Sequence, residues 1–186
     1  HLSGQRQIHD FGATDDGRPF QAGALRLDKV SFAYPGAGLA LNEADAELPS
    51  GKMIAVMGQT GTGKSTLTYL IQKHLVPQRG RIMIGEFDLG DISTNSLREH
   101  VATLDQEPLL VSGTIRDNVV LHRPEAGDAD VAEACRMASL SEALARLPHG
   151  LQTNVADAGA TLSGGEKQRI CLARAILKRP AILILD

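Results

Sequence analysis

The feature that most constrains this chain is the stretch Gly58-Gln59-Thr60-Gly61-Thr62-Gly63-Lys64-Ser65-Thr66, set between an apolar run and a segment of helical period. It satisfies G-x-x-x-x-G-K-S/T, a pattern whose mechanics require a strand before it and a helix after it. The run Met53-Ile54-Ala55-Val56-Met57 has the length of a buried parallel strand. Beyond the loop, Leu67, Leu70, Ile71 and Leu75 recur at helical spacing until Pro77 and Gly80 stop them. The expected fold class is therefore α/β. Glycines let successive backbone N–H groups curl inward, and a helix starting near Lys64 aims its positive end at the same spot. Together they make an anion nest.

The chemistry of such a nest assigns Lys64 to the β- and γ-phosphate oxygens of a nucleotide and the Ser65 hydroxyl to the Mg²⁺ that bridges them. Thr66 reads as a packing or capping residue. Composition supports a folded domain: 186 residues with 42% apolar content suffice for a core. A net charge of -3 without basic runs argues against nucleic acid as a partner. No apolar run approaches the roughly 18 to 20 residues that span a bilayer, so any membrane-embedded part is expected from another polypeptide region. The chain begins at His1 without a charged-then-apolar leader and reads as part of a longer protein. Cys135 and Cys171 stand far from other metal-type ligands and read as small buried hydrophobes in a reducing compartment.

Residues 1–23 carry Gly4, Gly12, Gly17, Pro19 and Gly23 without sustained periodicity and read as a linker. Leu25 and Leu27, then Val30, Phe32 and Tyr34, alternate as a strand with an irregularity near Asp28. A second extended piece is expected over 40–48, and further strands over 82–84, 101–104 and 181–185. Val131, Ala134, Cys135 and Ala138, then Leu140, Ala143, Leu144 and Leu147, mark two amphipathic helices within a helical insert at about 107–162. A last helix is expected after Ser163, apolar on several faces from Ile170 to Leu177.

That helix opens on Leu162-Ser163-Gly164-Gly165-Glu166-Lys167-Gln168-Arg169. Ser163 as N-cap and Glu166 three residues on would form a capping box. The box leaves Gly164 and Gly165 unexplained, because glycine weakens a helix by roughly 1 kcal/mol relative to alanine. Their presence suggests that something approaches the backbone closely.

The octapeptide resembles the signature sequence of ABC ATPases, and the resemblance extends over residues 25–186 with several motifs in the family's order. It implies a P-loop NTPase core of the RecA-like type, an antiparallel β subdomain and an inserted α-helical subdomain at 107–162. On this reading residues 1–23 lead from a membrane domain, and 24–186 form a partial ATPase domain whose C-terminal part is absent. ATP and Mg²⁺ are the implied cofactors, bound by residues 58–66. The family's domains pair head to tail, which implies that Ser163, Gly164, Gly165 and Glu166 face the nucleotide held by a second nucleotide-binding domain. Glu166 stands where the family more often has Gln, and is compatible with a nearby phosphate if it turns into the capping box.

Three more residues carry over. Tyr34 resembles the aromatic that stacks on adenine. Gln106, in Thr103-Leu104-Asp105-Gln106-Glu107-Pro108, resembles the glutamine that senses Mg²⁺ or the attacking water. Asp186, after Ala181-Ile182-Leu183-Ile184-Leu185, resembles the strand-end carboxylate that ligates Mg²⁺. Catalytic roles therefore fall to Lys64, Gln106 and Asp186, and the metal set to Ser65, Gln106 and Asp186. The catalytic glutamate and the switch histidine of the family follow the position of Asp186. The six histidines here match no such position, so this chain is expected to bind ATP without turnover.

Residues 110–119 (Leu-Val-Ser-Gly-Thr-Ile-Arg-Asp-Asn-Val) resemble the segment after the glutamine loop in exporters that fuse a membrane domain to the ATPase. Val155-Ala156-Asp157-Ala158-Gly159 is similar to their acidic loop, departing from V-G-E-x-G at Ala156 and Asp157. The implied protein is an ABC exporter, its ATPase at the cytoplasmic face of a membrane and partnered by a transmembrane domain. The alternative is a non-transport ABC protein that uses ATP-driven pairing as a mechanical switch on a macromolecular partner.

Overall fold

The computed structural model describes residues 17–158 and 162–186. Its contacts divide into two compact units between Arg98 and Glu99, earlier than the expected start of the helical insert.

In the first unit a four-stranded antiparallel sheet runs in the order β2-β1-β3-β4, built from β1 (Leu25–Ala33), β2 (Leu39–Leu48), β3 (Arg79–Ile84) and β4 (Phe87–Asp88). The irregularity in β1 follows from its sequence. Leu25 and Leu27 are buried and so are Val30 and Phe32, a change of parity that an unbroken pleat would expel to solvent. Lys29 takes a left-handed φ of 50°, and the pairing with both neighbouring strands shifts between 27 and 31. This is a bulge that keeps all four side chains on the core face.

The end of the N-terminal arm is fastened to the segment after β4. Arg18 N–H donates to Asp91 O at 2.7 Å, and Ser93 N–H donates back to Arg18 O at 2.8 Å. The Phe20 ring is buried, its N–H on Ser96 Oγ at 2.8 Å. A Cβ at Gly17 would lie 2.4 Å from Ser93 N, so glycine is required for this approach. Residues 1–16 of the expected linker lie outside the described residues.

Helix α1 (Lys64–Ile71) forms directly after the glycine loop. It ends before Pro77, at a Schellman turn in which Lys73 is left-handed (φ 58°). Lys73 N–H bonds Leu70 O at 3.1 Å and His74 N–H bonds Tyr69 O at 2.9 Å. The Lys73 ammonium then donates to Gly90 O and Ile92 O.

One expectation is corrected: residues 53–57 are not a strand. Met53 is 99% and Met57 89% exposed, and no strand among the described residues pairs with them. An apolar run becomes a buried strand only when neighbours take up its N–H and C=O groups. Without a ladder partner, sequence pattern alone does not order it.

Helix α2 (Thr94–His100) begins in the first unit and crosses the division; in the second unit β5 (Val101–Leu104) pairs in parallel with β6 (Ile182–Leu185) in an unbroken register from Val101↔Ile182 to Leu104↔Leu185. Between them lie α3 (Ile115–Val119), α4 (Asp128–Met137), α5 (Ser141–Arg146), α6 (Val155–Ala158) and α7 (Gly164–Leu177). Ile170, Ala173 and Leu177 of α7 pack with Ile115, Val119, Val131, Ala134 and Leu140 in one apolar cluster, so the helix that opens on the glycine pair shares that core.

Candidate functional site

The loop 58–66 belongs wholly to the first unit. Its glycines answer separate steric demands. Gly63, the N-cap of α1, has φ 88°, and a Cβ there would sit 2.3 Å from Ala40 O on β2. Gly61 has φ 84° with open space around it, so only its conformation requires glycine. A Cβ at Gly58 would meet Thr62 Oγ1 at 2.6 Å, and that hydroxyl closes the loop by donating to Gln59 O at 2.8 Å. Thr60 and Gln59 are exposed along the rim.

The start of α1 has no side-chain cap and no acidic residue in its first turn. Its orphan N–H groups and positive dipole end are therefore available to an anion. The Lys64 ammonium rests on Gly58 O (2.8 Å) and Gln59 O (2.7 Å), a cation held at the loop without a carboxylate partner among the described residues. These are the properties a polyphosphate requires. Ser65 is exposed beside it, whereas Thr66 is buried and shares a 3.3 Å hydrogen bond with the Tyr34 hydroxyl. Thr66 thus packs, as its position suggested. Tyr34 lies on the same unit, its ring edge-on to Phe32 at 5.1 Å, and is 39% exposed.

The remaining candidates belong to the second unit. Ser163 caps α7 with the expected box: its Oγ accepts Glu166 N–H at 3.3 Å, and Glu166 Oε2 accepts the Ser163 N–H at 2.8 Å and its hydroxyl at 2.9 Å. Glu166 Oε1 is paired with the Arg146 guanidinium. The Ser163 backbone N–H, then its hydroxyl, then Arg146 and Arg169 hold the Glu166 carboxyl below the usual range. Gly164 and Gly165 are exposed, and a Cβ at either would meet nothing within 4 Å. Nothing in the packing of the described residues calls for glycine there.

Gln106 is exposed after β5, and the Gln168 amide of α7 donates to its backbone oxygen at 3.2 Å. Asp186 follows β6, with its N–H on Leu104 O at 3.0 Å. No cluster of three or more His, Cys, Asp or Glu residues stands ready for a metal among the described residues. A magnesium ion that keeps several waters and leans on substrate phosphates needs no such cage, so Ser65 and single carboxylates fit that mode of binding.

Sequence reasoning missed the residues that organise the 110–119 segment. Asn118 is fully buried. Its amide donates to Val111 O and Thr114 O, and its Oδ1 accepts Val111 N–H at 2.8 Å. Arg174 of α7 grips Asn118 O, Asn118 Oδ1 and Leu109 O. The legible signal was Thr114 with Asp117 three residues on, a capping box that the structure contains. Asp157 and Gly159 lie where side chains or backbone fall outside the described residues; the described backbone places 155–158 in α6.

The cysteines are buried as expected. Burial pushes the Cys135 thiol up to about 11 and raises that of Cys171. His122 is lowered, first by burial and then by Lys178 and Arg174. No helix among the described residues is long and apolar enough to cross a membrane.

Comparison with known proteins agrees with these motifs. The family model described as ABC transporter matches residues 41–186. The cyclolysin secretion/processing ATP-binding protein CyaB of Bordetella pertussis is 42% identical over 169 residues, 90% of this chain and 24% of that protein. The ATP-dependent lipid A-core flippase of Chromobacterium violaceum is 39% identical over 183 residues, 96% of this chain and 31% of the flippase. A solved bacterial Atm1-family ABC exporter with ATP bound superposes with a TM-score of 0.85 at 34% identity, covering 92% of this chain and 30% of that one. The chain thus spans about a quarter to a third of the length of these relatives. With a phosphate loop, a capped glycine-pair helix and a family model matched over most of its length, this chain belongs to the ABC transporter family.

Proposed function

We propose that this chain is the ATP-binding motor of an ABC exporter, with residues 107–162 as its helical subdomain and ATP hydrolysis coupled to movement of a substrate by a transmembrane partner. The observation that carries the reading is the pair of exposed glycines at a well-capped helix start. Gly164 and Gly165 cost helix stability and relieve no clash among the described residues, as suits a surface that another copy's nucleotide must approach. The exporter relatives support transport rather than a soluble mechanical switch.

In this reading the loop 58–66 binds the ATP phosphates, Lys64 moves from its resting carbonyls onto phosphate oxygens, and Tyr34 offers its ring to adenine. Bound Mg²⁺ supplies positive charge that offsets the phosphates during transfer. Ser65 and Asp186 are assigned as its ligands and Gln106 as the residue that orients water. Ser163, Gly164 and Gly165 face the nucleotide of a second domain, with the N–H groups of the two glycines supplying the same helix-end electrostatics in trans. The protein would then work at the cytoplasmic face of a membrane.

The test is Gly165→Ala in the full-length protein. The free α7 start should accept alanine without loss of melting temperature, while ATP-driven pairing, followed by light scattering, should weaken. Pairing unchanged in the variant would return the glycines to a purely local role. Membrane-spanning helices encoded in the same gene, or in one that co-purifies with it, decide transport against the switch.

A further inference from the structure

Glu166 places a carboxylate at the end of α7 that the proposed function offers to phosphate. The acid makes a strong cap, because its Oε2 takes both the Ser163 N–H and the Ser163 hydroxyl through charge-assisted bonds. The same negative charge opposes an incoming anion at that helix end. The side chain is 11% exposed, so water screens it poorly. Its other oxygen, Oε1, is held by Arg146, which reaches over from α5. Arg169, one turn further along α7, is the other cation acting on Glu166.

Resting on the proposed function, we propose that Arg146 is a positioning residue for nucleotide engagement in trans: it neutralises Glu166 and fixes its carboxylate, so that the Ser163–Gly165 turn can be capped and still accept phosphate. Two features separate this from packing. The Arg146 side chain is 71% exposed, so truncation opens no cavity in the apolar cluster. Its one ion pair among the described residues is with Glu166. Glutamine at 166 could keep a cap acceptor without the charge, and Arg146 would then have nothing to neutralise.

The experiment compares wild type, Arg146→Ala, Glu166→Gln and the double variant in the full-length protein, reading KM for MgATP in turnover and melting temperature. Removing Arg146 from the Glu166 protein should raise KM by about three- to tenfold, the range of a helix-end charge. Removing it from the Glu166→Gln protein should produce no further rise. Arg146→Lys, which keeps the charge, should recover most of the loss. An unchanged KM in Arg146→Ala, or an equal rise in both backgrounds, would overturn the neutralising role. A wild-type protein that neither binds nor hydrolyses MgATP removes the functional reading as well, whereas an active wild type with either overturning result removes this inference alone.

Discussion

At the scale of single residues, the proposed phosphate site is tested most directly at Lys64. Its ammonium rests on Gly58 O and Gln59 O, and the proposed function has it exchange these carbonyls for phosphate oxygens. A charge-assisted hydrogen bond contributes about 1.5 to 3 kcal/mol, so Lys64→Ala should weaken MgATP binding roughly tenfold to over a hundredfold. Calorimetry on folded variant checks this, and undiminished affinity would remove the nucleotide from the loop. The thiols illustrate the opposite case of inert residues. With Cys135 near 11, roughly one thiolate in a thousand exists at pH 8. Labelling of both cysteines should therefore be slow in native buffer and fast in denaturant; rapid native labelling would contradict their burial.

At the scale of elements, short helices depend on their caps and on one buried amide. Asn118 satisfies Val111 and Thr114 backbone groups and receives Arg174. Asn118→Ala should cost about 1 to 3 kcal/mol in denaturant unfolding, since it strands buried polar groups, and a loss below half a kcal/mol would mean water replaces the amide. Two caps also titrate. Asp117 is lowered first by the Thr114 backbone N–H and then by its hydroxyl, and Glu166 by the Ser163 pair. For both, the unfolded chain binds protons more readily than the folded one, so stability rises with pH. That contribution is complete above the ordinary carboxyl range near 4 to 4.5 and is lost as pH falls through the lowered native values. Asp117→Asn should therefore flatten the fall in melting temperature between pH 6 and pH 3; an equally steep fall would assign acid sensitivity elsewhere.

For the whole molecule, hydrogen exchange separates what the chain orders by itself from what ligand orders. Backbone of 53–57 has no ladder partner among the described residues, so its amides should exchange quickly, while those of β1, paired on both sides, should be slow. MgATP should slow residues 58–65 at any protein concentration. It should slow 164–165 only where concentration supports pairing, the signature of engagement in trans. Protection of both segments together in dilute monomer would contradict the head-to-tail reading.

Much of this was legible beforehand because the relevant forces are local. The glycine loop, the parity change in β1, the Ser163–Glu166 box and the periodic faces of α4 and α5 are written in neighbouring residues, and hydrogen bonds over three or four positions enforce the loop, the box and the helices. Tertiary structure decided what depends on distant partners. Residues 53–57 have a strand's composition but no strand among the described residues pairs with them, and a strand forms only where a neighbouring strand takes up its N–H and C=O groups. Glu166 could be read as a cap, but its partner Arg146 lies 20 residues away, and Asn118 meets Arg174 across 56. Charge and burial at such sites arise from packing between helices, which sequence spacing alone does not encode.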